Sequence, residues 1–297
     1  MQKRIHKNKA KQAPVMADGI VGRWRDLYLS IVQATKPFLF GLLLLAAQLV
    51  LSNQILASET LIRHQLEVRL DPEQGRIEVR DQMRLPEPKS QWSLILHTGL
   101  DPKIIDGEAT LTRVSAFGPL VEYRLSLETP GAVTLAYGGR IRHDLEHIDE
   151  SLGRARQWSR GTIAPDGVFL DAGSGWYPRI PESRQSFVLD VRLPEGWSAI
   201  SQGAGTTDPA RGRSHWSESQ PQDDIYLIAG RFHAYHKRSA DVQAEAQVYL
   251  REPDTALAER YLDATLEYLA FYSDLIGPYP FAKFALVENF WESGYGM

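Results

Sequence analysis

His143-Asp-Leu-Glu-His147 is the tightest grouping of titratable side chains in the sequence. Two histidines four residues apart share one face of a helix. There both imidazoles reach a Zn²⁺ ion, and the intervening glutamate serves as general base. The spacing makes His143, Glu146 and His147 a candidate zinc hydrolase site. The context points to a plainer reading. A β-like segment, Val133–Ile141, leads in, Ile148-Asp-Glu-Ser follows, and no amphipathic helix surrounds the motif. A solvated polar turn fits these surroundings better.

A second candidate lies at the far end. Lys283-Phe-Ala-Leu-Val287 is a short apolar strand, followed by Glu288-Asn-Phe-Trp-Glu-Ser-Gly-Tyr-Gly-Met297. Glycines let backbone approach a ligand, and loops on a rigid scaffold carry binding residues. The stretch is therefore a candidate edge of an active site, and no catalytic residue is assigned. Other patterns fail on context. Gly203-Ala-Gly-Thr-Thr-Asp208 half-matches a dinucleotide loop but precedes no helix. Asp171-Ala-Gly-Ser-Gly175 lacks the frame of a nucleophile elbow, which leaves Ser174 as a turn residue. No H-E-x-x-H occurs.

The elements that must position these residues are mostly strands. From His64 the sequence alternates apolar and polar, through Leu70 and again from Arg76 to Leu85, with Asp71-Pro-Glu-Gln-Gly75 as turn chemistry between. Further short strands are expected at Trp92–Leu96, Ala109–Ser115, Val121–Leu127 and Val133–Ile141. Residues 142–185 suggest a long packed loop. Strands resume at Ser186–Leu193, Trp197–Gln202, Ile225–Phe232 and Ala244–Leu250, with a polar loop over Gly203–Asp224. The rhythm is that of an antiparallel β-sandwich or open sheet. The period then shifts to 3.6. Asp254 caps a helix running to Ile276, with Leu257, Tyr261, Leu262, Leu266, Leu269, Tyr272, Leu275 and Ile276 on one broad apolar face. Gly277 stands where a left-handed C-terminal residue belongs.

Composition bounds the partners. The chain has 297 residues, a net charge of -4 and no cysteine. A disulfide scaffold and Cys-ligated zinc are excluded. Residues 1–57 carry eight Lys/Arg against two Asp/Glu, so the remainder carries -10. An acidic body argues against nucleic acid. Phe38–Leu51 is a 14-residue apolar run with Gln48 its one polar residue. It suits a signal h-region, with a cleavage point near Ala57, or a membrane anchor if uncleaved. Its basic flank predicts that the chain beyond Ser58 is exported, to a periplasmic or membrane-anchored location.

Several segments taken together resemble the M1 family of zinc metallopeptidases, the gluzincin aminopeptidases. They are His64 to Pro72 with Ile77-x-Val79, Val133–Ile141, Phe169–Pro178, Ile225–Gly230 with Phe232, and Leu275-Ile-Gly-Pro-Tyr-Pro-Phe281, the most specific of them. The resemblance implies a saddle-like β domain followed by a thermolysin-like catalytic domain. It also implies one Zn²⁺ held by H-E-x-x-H and a later Glu, with peptide as substrate. A Gly-rich loop in that family, G-x-M-E-N, binds the substrate's α-amine, and Phe290–Met297 falls where that loop begins, so the resemblance implies Glu288, Asn289, Gly294, Tyr295 and Gly296 as substrate-binding residues. The expected organisation is a basic leader at 1–57, a β-rich domain at 58–242, and the start of a truncated α/β catalytic domain at 243–297. No zinc ligand and no cofactor is expected in this chain itself, which is expected to be inactive alone. A non-catalytic binding or scaffold module at the cell envelope, and the His143 zinc hydrolase, stand as alternatives.

Overall fold

The computed structural model describes residues 60–86, 88–129, 131–144, 146–148 and 156–291. The basic leader, the Phe38–Leu51 run, and Gly294, Tyr295 and Gly296 lie outside the described residues. Among the described residues no helix is long and apolar enough to cross a membrane. Everything below belongs to the unit Glu59–Met297.

Two long strands come first, β1 (Thr60–Asp71) and β2 (Arg76–Arg84). Every second residue is buried, because a pleated strand sends neighbours to opposite faces. Asp71 fixes the turn by accepting from the Gln74 amide at 3.1 Å, and Gly75 takes φ +66°. Next come β3 (Gln91–His97), β4 (Lys103–Asp106), β5 (Ala109–Phe117), β6 (Leu120–Leu127) and β7 (Ala132–Arg140). The stretch expected as a long loop holds four short strands: β8 (Glu146–Ile148), β9 (Arg156–Trp158), β10 (Thr162–Ala164) and β11 (Gly167–Leu170). Then follow β12 (Ser183–Arg192), β13 (Ser198–Ile200), β14 (Ala204–Asp208), β15 (Arg213–Gln222) and β16 (Leu227–Gly230). The polar loop expected over 203–224 is thus largely the hairpin β14–β15. Ser214, Trp216 and Glu218 are buried at alternate positions, and two of these three are polar, which hides the alternation from a hydropathy pattern.

The main sheet has the order β14-β15-β12-β1-β2-β7-β4, and a second runs β10-β11-β16-β13. The sheets are mainly antiparallel, but β12 pairs parallel with β1, from Thr60↔Ser183 to Arg69↔Arg192. The architecture is mainly β, made of several open sheets. Trp176 and Trp216 are fully buried in its core. Each indole N–H is satisfied by a carbonyl, of Ile225 at 2.9 Å and Ala199 at 2.8 Å.

The chain then builds a smaller layer from β17 (His233–Lys237), β18 (Glu245–Leu250), α1 (Thr255–Ile276) and β19 (Lys283–Val287). Asp254 caps α1 by accepting from the Leu257 amide at 2.9 Å. Ala258, Leu262, Leu266 and Leu269 pack on Ala246, Val248 and Leu250 of β18. Tyr261, Tyr272, Leu275 and Ile276, expected on the same buried face, are exposed. Gly277 takes φ +115° and ψ +168°, not the left-handed helical geometry expected. The cause is Pro278, which pushes the preceding residue to extended ψ.

Candidate functional site

β19 runs parallel to β18, from Glu245↔Lys283 to Tyr249↔Val287, and brings the end of the described chain against the main β body. A cleft of about 590 Å³ opens there, a volume typical of small-ligand and peptide-end sites. Its walls include Phe169, Gln202, Tyr226, Tyr279, Phe281 and Lys283.

Lys283 holds β19 in place. Its ammonium is buried, donates to the Ser201 and Gly203 carbonyls at 2.6 Å each, and sits 4.3 Å over the Trp216 ring. Burial pushes the amine down to about 8, against the opposing pull of Glu218 and Glu245. The ordinary value is 10.5, so the folded state sheds this proton earlier than the unfolded chain. Stability contributed here is therefore full above 10.5 and is lost as pH falls through 8. Lys283→Met is expected to cost about 1–3 kcal/mol at neutral pH, by orphaning two carbonyls. The variant is also expected to lose the rise in stability between pH 8 and 10, both read from urea melts.

The two sequence-predicted residues inside the described chain sit just past β19. The Glu288 carboxylate accepts from the Arg251 amide at 2.6 Å, and its own amide donates to the Tyr249 carbonyl at 2.9 Å. These bonds anchor the turn where the strand ends. Asn289 lines the cleft. Its Oδ1 accepts from the Phe290 amide at 2.9 Å, while its buried Nδ2 has no partner among the described residues. The buried indole N–H of Trp291 is unpartnered in the same way. Trp291 packs edge-on against Phe169 at 5.2 Å and Phe290 at 4.5 Å. Phe290 lies over Gly167, where a Cβ would meet its ring at 2.4 Å. Lys283 and Tyr226 carry no local sequence signal, because burial of a lone lysine and a cross-sheet approach depend on distant strands.

His143 is placed elsewhere, with a different partner. Its Nε2 lies 2.8 Å from Nε2 of His97 on β3, whose Nδ1 accepts from the Gly99 amide at 2.9 Å. That amide leaves the His97 proton on Nε2, so His97 donates to His143. Glu146 and His147 fall in strand β8, paired with β9, so the backbone does not form the helical turn the zinc spacing requires. Among the described residues no three His, Asp or Glu side chains converge as a metal site. The described residues do not fit zinc, and no step is assigned to it. Ser174 lies in a one-turn 3₁₀ segment, with its hydroxyl bonded to the Asp171 carbonyl at 2.6 Å, consistent with a turn role.

No protein-family profile matches the sequence, and no curated protein matches it. Solved structures do share its fold. An M1 zinc metallopeptidase from Deinococcus radiodurans aligns with a TM-score of 0.51 at 18% identity, over 77% of this chain and 55% of that one. Yeast LTA4 hydrolase aligns with a TM-score of 0.53 at 12% identity, over 77% of this chain and 37% of that enzyme. The chain thus spans about half the length, or less, of the proteins whose fold it shares.

Proposed function

We propose that this chain is the amino-terminal portion of an exported zinc metallopeptidase of the M1 type, which cleaves residues from the amino termini of peptides. The observation that carries this is the shared fold. Over 77% of the chain it follows an M1 zinc metallopeptidase, and it accounts for 55% of that enzyme. The order of parts supports the same reading: a β body, one capped helix, Gly277-Pro-Tyr-Pro-Phe281, then β19.

In this reading the cleft beside β19 is the substrate side of the active site. Glu288 and Asn289, which line that cleft, would face the substrate. In this reading no described residue is a zinc ligand. The basic segment and the Phe38–Leu51 run direct the body across the membrane. The test is metal analysis of the purified chain together with the coding sequence after Met297. Substoichiometric zinc, with an H-E-x-x-H within a few tens of codons, is the expected outcome. Near one zinc per chain would sink the reading and return attention to His143.

A further inference from the structure

The outward face of the main sheet carries its charge in rows. Strand register sets Arg69 of β1 beside Arg192 of β12, and Arg192 beside Arg213 of β15. All three are exposed and line one end of a concave cleft of about 1000 Å³. Adjacent strands stand about 4.8 Å apart, so three guanidinium stems share a row roughly 10 Å wide. Like charges directly opposite one another destabilise a sheet. Interleaved acid ordinarily removes that cost, and here most of it is engaged elsewhere. Asp190 binds His215 Nδ1 at 2.8 Å, Asp101 binds Lys103 at 3.2 Å, and Asp208 binds Arg211 at 3.4 Å. Glu78 is in register with Arg69 and Asp208 with Arg213, neither reaching ion-pair distance, and Glu67 also lines the cleft. Among the described residues Arg69, Arg192 and Arg213 form no ion pair.

We propose that this row is a binding site for a small multivalent oxyanion of the phosphate-ester class. Guanidinium groups present a planar fork that pairs two-to-two with phosphate oxygens. Three forks side by side suit an anion of more than one charge. The net charge of -10 on the chain beyond residue 57 disfavours a long polyanion, which would have to leave the row and run over acidic surface. The phosphate can come free in solution or on a lipid headgroup.

Calorimetric titration of the full chain with inorganic pyrophosphate tests the first source. Binding that weakens with added salt is expected, together with a loss of about tenfold or more in Arg192→Gln, the value of one charge-assisted contact. Arg113→Gln, on β5 of another sheet, should bind as the parent does. Without ligand, Arg192→Gln should melt at the same temperature or higher, because it relieves repulsion, so lost binding cannot be lost folding. Vesicles of phosphatidylcholine with and without phosphatidic acid, a phosphate monoester that can carry two charges, test the second source. There the reading is the difference between parent and Arg192→Gln, since the apolar run is common to both. A difference on anionic vesicles without pyrophosphate binding assigns the anion to a headgroup. Equal behaviour of parent and Arg192→Gln in both arms overturns the proposal.

Discussion

Asp81→Ala is expected to destabilise the fold by about 3–5 kcal/mol, the usual cost of removing one partner of a buried ion pair. Asp81 on β2 is fully buried, and its Oδ2 accepts from His64 Nδ1 on β1 at 2.8 Å. The other ring nitrogen of His64 faces Gln185 Oε1 on β12 at 3.1 Å. The orientation of that amide follows from its surroundings. Ser183 Oγ donates to the Ile180 carbonyl at 2.7 Å, so it can only accept from Gln185 Nε2, at 3.0 Å. Gln185 therefore turns its oxygen to His64, and the ring bridges that oxygen and the Asp81 carboxyl. The three side chains stitch β2, β1 and β12, including the parallel β1–β12 seam, whose partners lie more than a hundred residues apart. Without the carboxylate, the ring stays buried against the edge of Tyr177 with nothing opposite Nδ1. A double-mutant cycle with His64→Ala separates the pair from simple loss of volume. Urea midpoints that add, with no coupling, would show the bond to be incidental.

His64 and Asp81 also mark how far the sequence could be read. The hairpin they sit on was legible, because β1 and β2 alternate without a break and Asp71–Gly75 carries its own turn chemistry. The helix was legible through Asp254 and the 3.6 period. Both are local signals. What the sequence withheld depends on register between distant strands. The β1–β12 pairing is parallel, so no hairpin turn announces it. The Arg69-Arg192-Arg213 row exists only once that register and the β12–β15 register are known. His143 met the spacing of a zinc ligand, but the β7 strand before it and the β8 strand after it decide the backbone. Its partner, His97, comes from 46 residues upstream. Glu288 and Asn289, just past β19, carry a local loop signal in the sequence. The walls around them, Phe169, Gln202 and Tyr226, come from other strands and had no such signal.

Acid should act on this protein through one buried and one half-buried group of opposite sign, and single substitutions should uncover each. Burial first, and then the neighbouring His143, push His97 down from 6.5 to about 4. Its stabilising neutral form is fully present above 6.5 and is lost as pH falls through 4. Burial first, and then the nearby Asp171 acting against the Ala172 amide, push Asp224 up from 3.8 to about 6. Its neutral carboxyl, bonded to the Tyr177 hydroxyl at 3.4 Å, stabilises fully below 3.8, and that contribution is lost as pH rises through 6. Between pH 4 and 6 the two slopes oppose, so the parent should hold a nearly level stability there. Asp224→Asn keeps an acceptor for Tyr177 but cannot titrate. It should leave His97 unopposed and lose on the order of 2–3 kcal/mol between pH 6.5 and 4. His97→Asn places an amide oxygen near the Nδ1 position to receive the Gly99 amide, and should reverse the sign, becoming more stable as pH falls. Urea denaturation of parent and both variants at pH 4, 5 and 6.5 measures all three slopes. Parallel slopes in the three proteins would show that neither group titrates differently in the folded state.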